Sequence, residues 1–319
     1  MSLPPTPPAD PATGPVDVPP VTAPTRVATP PPPQATSTLG AAPAGPSAAR
    51  TRWPASWSAL LTVLAVASLA YGLSVLVGAH VPTSPLVGAV LAFGAVAVAI
   101  SGVAVLSPTA TPRELAVLLL PLGVLVAVAL ARSSLPLAVG AGLINAALLA
   151  FGAVLGSAVG GRVEHAGHLV LLAWVASAVD ILSVFVPEGP TAQIIANPET
   201  ALPLVTLSWP IYGTARIEPL IGVGDVAIAA VYGAAARATS LPRRRVVWGL
   251  MAGFALTFVA LLAFEQALPA LPMLSLGVVV ALAPASLRIP AADRRKGVGF
   301  AALITALVAA RLGTWLLAP

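Results

Sequence analysis

Long apolar runs separated by short polar breaks organise the chain from about residue 57 to its end. About 20 apolar residues cross the hydrocarbon core of a bilayer. The breaks predict about nine spans, roughly 57–79, 85–106, 114–131, 134–159, 167–186, 218–236, 246–267, 270–287 and 298–317. Lipid cannot satisfy backbone polar groups, so each span is expected to be a helix. The expected fold is therefore all-α, a polytopic helical membrane protein. The one sizeable connection is 187–217, "PEGPTAQIIANPETALPLVTLSWPIYGTARI". Several prolines break it, and it reads as an inter-helix loop lying partly in the membrane interface.

Residues 1–55 differ in kind. Stretches such as "TPPPPQATSTLGAAPAGPSAA" are rich in Pro, Ala and Thr and lack the bulk to bury a core, which predicts a disordered tail. No apolar core follows Met1, so the tail does not read as a signal peptide. The expected organisation is this tail, N-terminal transmembrane helices over 56–160, and a catalytic transmembrane region over 161–319.

Composition agrees. The chain is 58% hydrophobic and 8% charged, with mean hydropathy +0.95, whereas soluble domains carry about 25% charged residues. There is no cysteine, which excludes disulfides, thiol nucleophiles and thiolate metal sites. The net charge of +5 is no nucleic-acid footprint, because the basic residues lie singly or in short clusters between spans. Nearly all are arginine, and the chain is rich in Ala, Gly, Pro and Val, as in a GC-rich bacterium; a bacterial plasma membrane is the expected location. With nine spans, one set of ends holds Arg50, Arg52, Arg113, Arg162, Arg237, Arg243, Arg244, Arg245, Arg288, Arg294, Arg295 and Lys296. The other holds Arg132, Arg216 and Arg311. Basic residues mark the cytoplasmic side. The N-terminus is then cytoplasmic, and the 187–217 loop and the C-terminus are external.

The acidic residues narrow the search for chemistry. Asp10 and Asp17 lie in the tail, while Glu114, Glu164, Glu188, Glu199, Glu218, Glu265 and Asp293 lie in loops or near span ends. Only Asp180 and Asp225 lie well inside apolar runs. An aspartate at mid-membrane costs roughly 2.5–3.5 kcal/mol on insertion scales, so it faces the bundle interior and has a task. Asp180 comes about six residues before its span ends, and Asp225 about six after the next begins. At 1.5 Å per residue both carboxylates lie about 9 Å from the same membrane surface. Gly222 and Gly224 remove side chains just before Asp225, so the backbone there is expected to approach a neighbour closely or unwind. Two adjacent carboxylates do not both ionise easily and tend to share one proton. The ionised member then takes a proton from water, and the protonated member donates to a peptide carbonyl. That is the chemistry of aspartic proteolysis.

Three motifs carry a resemblance. "VDILSVFVPEGP" (179–190) is similar to the end of the sixth membrane helix of presenilins, where a catalytic aspartate precedes a Pro-x-Gly-Pro, here Pro187 to Pro190. "GVGD" (222–225) matches the Gly-x-Gly-Asp motif of that family, and "PALP" (Pro269, Ala270, Leu271, Pro272) matches its third signature. The three occur in the family's order. The chain thus resembles a bacterial member of the presenilin and signal peptide peptidase family over roughly residues 167–287. The resemblance implies an intramembrane aspartic endopeptidase with Asp180 and Asp225 as its catalytic pair. It also implies that Pro269 to Pro272 shape the site, and that an extended substrate segment pairs with chain around Thr214 to Pro219. The family's usual tyrosine before the first aspartate is Val179 here.

Two other readings compete. Aspartate pairs on broken helices also serve ion- or proton-coupled transport. Prepilin-type peptidases also use Gly-x-Gly-Asp, but with a lysine two residues on, where this chain has Ala227. The histidines, His80, His165 and His168, lack zinc-protease spacing, and no Gly-x-Ser-Gly motif is present. No metal or organic cofactor is expected. The expected partners are transmembrane proteins or peptides as substrates, and the bilayer.

Overall fold

A computed structural model describes residues 56–108, 114–197, 201–264 and 268–316. The tail assigned to 1–55, with Asp10 and Asp17, lies outside the described residues, as do Arg113, Glu199 and Glu265.

The described chain is mainly helical: α1 Trp57–Val77, α2 Pro85–Leu106, α3 Leu119–Leu130, α4 Leu137–Gly160, α5 His168–Phe185, α6 Pro190–Ala196 and α7 Leu202–Val205, then α8 Val223–Ala238, α9 Arg243–Phe264, α10 Leu271–Ala281 and α11 Ala291–Leu316. Local chemistry sets several ends. Ser56 caps α1 by accepting the Ala59 N–H at 3.1 Å. Ser84 precedes Pro85, a first-turn residue with no N–H to leave unpaired. Among the described residues, α1, α2, α4, α5, α9 and α11 lie in the six segments long and apolar enough to cross a membrane. This is an integral membrane protein.

Each expected span carries helix, but three are shorter than expected, and α3 begins only at Leu119 after a 3-10 turn over Glu114–Leu118. The span expected over 270–287 is helical only over Leu271–Ala281, about 17 Å at 1.5 Å per residue. The span expected over 218–236 begins as a strand, and its helix α8 has 16 residues, about 24 Å. Both fall short of a hydrocarbon core of about 30 Å. The last helix instead starts earlier than expected, at Ala291.

The described chain is mainly helical, as expected, with one two-stranded exception. Strands β1 (Thr206–Pro210) and β2 (Ile217–Gly222) form an antiparallel hairpin within and just beyond the 187–217 connection. A short apolar stretch such as "IEPLIG" reads alike as helix or strand, because periodicity does not separate the two. Pro219 tips the balance, since proline suits an edge strand and breaks a helix interior. Gly213 turns the hairpin at φ +79°, a conformation that favours glycine, and donates its N–H to the Gly78 carbonyl at 2.8 Å. The turn thereby docks on the α1–α2 connection.

One side chain anchors the other end. Asn145 of α4 donates from Nδ2 to the Ser208 carbonyl at 2.6 Å and accepts the Ser208 N–H on Oδ1 at 2.8 Å. In an antiparallel pair, a residue's N–H and C=O point together either toward the partner strand or away from it. At Ser208 they point to α4, so β1 is covered on that edge and β2 is the outer strand. Ser208 pairs with Pro219, across an irregularity at Leu207/Ser208. Pro219 therefore removes an N–H from the outer edge of β2.

Helix α8 is the centre of the fold, packed on α2, α4, α9 and α10. Gly152, Gly156 and Gly160 of α4 form the seam against it. A Cβ at Gly152 would lie 2.6 Å from Val226 Cγ1, and one at Gly156 2.6 Å from Ala230 Cβ. Small residues four apart let helix backbones touch, which is how dispersion holds helices together in lipid. Helix α11 is the most exposed of the long helices and packs on α5. Trp174 donates to Thr305 Oγ1 at 3.2 Å, and Arg311 pairs with Glu188 at 2.9 Å.

Candidate active site

Asp180 lies on α5, five residues before the helix ends at Phe185. Its Oδ2 accepts the backbone N–H of Leu271 at 2.8 Å. The sequence explains this contact. Ala270 is the N-cap of α10 and Leu271 its first residue. The first N–H groups of a helix have no partner within it. Pro269 and Pro272 carry no N–H, and Met273 donates to Ala270 O at 3.1 Å. Ala270 and Leu271 are left with donors, and that of Leu271 is taken up by Asp180. The PALP segment thus presents a backbone N–H at the positive end of a helix dipole to the carboxylate.

Asp225 is the third residue of α8, and its Oδ2 accepts the Gly222 N–H at 3.2 Å. This is the side-chain-to-cap half of a capping box, with aspartate in the acidic role. Its depth comes from local structure other than that expected. The helix starts at Val223, so strand β2, and not a turn and a half of helix, carries the chain inward to Asp225.

The structure places the two aspartates on helices that pack against each other. Helix α5 packs on α8, and Asp180 is near enough for its charge to act on Asp225. Among the described residues no hydrogen bond joins the carboxylates, and each has one oxygen without a partner. Neither of those oxygens is among the sealed, unpaired atoms of the interior.

The glycines behave differently from the expectation of close packing. A Cβ on Gly224 would meet nothing within 4 Å, and one on Gly222 would meet only Asp225 Oδ2 at 3.6 Å. The tight helix contacts lie instead at Gly152, Gly156 and Gly160, and at Gly233 against the Ala104 carbonyl. Gly224 leaves open space beside Asp225. The strand also starts later than expected, at Ile217, with Thr214 and Ala215 in the bend of the hairpin.

Two supporting contacts were not anticipated. Tyr232 Oη and Ser275 Oγ are 2.6 Å apart, a buried tie between α8 and α10. Asn145 fixes the strand that pairs with β2. A lone asparagine inside an apolar span carries the same signal as the aspartates, a polar group too expensive to leave unpaired in lipid. Among the described residues no group of three or more His, Asp or Glu is placed to hold a metal.

No protein-family model, curated protein or solved structure matches the chain.

Proposed function

We propose that the chain is an intramembrane aspartic endopeptidase that hydrolyses peptide bonds within transmembrane segments. Asp180 and Asp225 are its acid–base pair. The observation that carries this reading is the contact between Asp180 and the start of α10, with Asp225 within charge range on the adjacent helix. It unites three motifs that lie far apart in sequence, and it gives the PALP segment a chemical task. In the half-protonated pair, one carboxylate takes a proton from water while the other donates to the peptide carbonyl. Water attacks the carbonyl carbon, the carbonyl oxygen receives the proton, and no acyl-enzyme forms. The backbone N–H of Leu271 holds Asp180 in position.

A helical peptide bond is shielded, so the substrate must unwind near the pair. The outer edge of β2 suits an extended segment adding as a further strand, and the open space at Gly224 leaves room for its backbone beside Asp225. Nine membrane crossings, a cytoplasmic N-terminus and an external 187–217 connection complete the proposal, on the arginine distribution. Short helices α8 and α10 cross in it because the hairpin and loops fill the remaining depth. The test is reconstitution of the purified protein in liposomes with a reporter transmembrane peptide. Two new fragments meeting at one bond within the membrane segment are expected. An intact peptide across a panel of such reporters would overturn the proposal.

A further inference from the structure

A cavity of about 140 Å³ lies between the α3–α4 connection, the start of α4, α7 and the hairpin. Val128, Leu135, Ile144 and Leu204 form apolar walls, and Ile217 and Pro219 of β2 close one side. Among the described residues, the one charged group on its lining is Arg132, which is exposed. The mechanism above makes no use of this space.

Its size decides what it can hold. An apolar cavity of about 150 Å³ takes a benzene-sized group. That is one large side chain, far less than a helix or a lipid tail. Its position decides what delivers the side chain. Ile217 and Pro219 are two residues apart on one strand and so share a face. A segment added to the outer edge of β2 continues that face, and every second side chain of it lies on the cavity side. From Pro219 the chain runs three strand residues, about 10 Å, to Gly222 and the start of the Asp225 helix.

Resting on the protease reading, we propose that this cavity is a specificity subsite. It takes one large apolar side chain, of phenylalanine, leucine or methionine size, from the extended substrate segment. At about 3.3 Å per residue, that side chain belongs to a position about three to five residues from the scissile bond.

Gly140 offers a means of filling the cavity. It lines the space, and a Cβ there would meet only Val128 Cγ1, at 3.9 Å. Leucine at this position grows into the cavity without displacing backbone, and in a helix it is favoured over glycine. The experiment uses the full-length protein in phosphatidylcholine liposomes. Reporter peptides carry alanine or phenylalanine in turn at each of the ten residues around the mapped cut. One position should prefer phenylalanine by about tenfold in kcat/KM. Gly140→Leu should bring that ratio to within about twofold, and Leu204→Ala, which enlarges the cavity, should extend the preference to tryptophan. A wild type that cleaves without any positional preference overturns the subsite alone. So does a ratio unchanged in both variants, including one where both substrates slow equally; the space then takes a lipid methyl end or nothing. A wild type that cleaves none of the peptides overturns the protease reading and the subsite with it.

Discussion

Asn145→Leu tests the architecture that brings β2 to the site. Leucine nearly matches asparagine in shape, so the substitution removes two hydrogen bonds, of 2.6 and 2.8 Å, and leaves little cavity. The Ser208 N–H and C=O are then both unpaired, in a strand whose residues are all buried. Unpaired buried groups cost about 1–3 kcal/mol each, which sets an upper limit of about 6 kcal/mol. Polar contacts between membrane helices average about 0.6 kcal/mol, which sets a lower limit of about 1 kcal/mol for two. Ser208 lies on β1 and β1 pairs only with β2 among the described residues, so little else compensates. A loss of about 2–3 kcal/mol is expected in equilibrium unfolding from detergent micelles. A cysteine at Thr214, in the hairpin bend, should also label faster in the variant under native conditions, because β1 loses its anchor. Unchanged stability together with unchanged labelling would refute the reasoning.

Other outcomes follow from the same contacts. Gly156→Val should destabilise the protein by about 1–3 kcal/mol through overpacking on α8, whereas Gly224→Ala should leave unfolding unchanged, since its Cβ meets nothing within 4 Å; equal effects would contradict the assigned seam. Pro272→Ala restores an N–H near the Asp180 donor, and it should lower cleavage at least about tenfold with a stability change within about 1 kcal/mol; activity lost only in proportion to folding would leave the prolines a plain helix start. Orientation is tested with introduced cysteines, because the chain has none of its own. In intact cells a cysteine at the exposed Ala196 should react with an impermeant reagent and one at the exposed Ser240 should not; the reverse pattern would place the N-terminus outside.

The helices were legible because a membrane span is long and its apolar run is unbroken, so even α11 was found within a few residues at its end. Asp180 and Asp225 stood out as candidates because charge in lipid is rare. The hairpin was not. "TLSWP" and "IEPLIG" are too short for periodicity to separate strand from helix, and only Pro219 hints that one of them is extended. Likewise nothing local marks Gly152, Gly156 and Gly160 as a tighter seam than Gly222 and Gly224. A glycine shows what it omits, and what meets it is decided by the neighbouring helix. The Leu271 contact was unreadable for a related reason, since a backbone N–H has no sequence signature beyond the prolines on either side.

The central claim is that Asp180 and Asp225 act as one catalytic unit, and the most direct measurement compares wild type with Asp180→Asn, Asp225→Asn and the double variant in liposomes. Cleavage of a reporter transmembrane peptide and proton or sodium flux are followed in the same vesicles. Because acid and base act together, each single variant should lose as much cleavage as the double, at least about a thousandfold, while remaining folded. Cleavage retained by either single variant would contradict the account, as would a flux that wild type carries and both variants lose while the peptide stays intact.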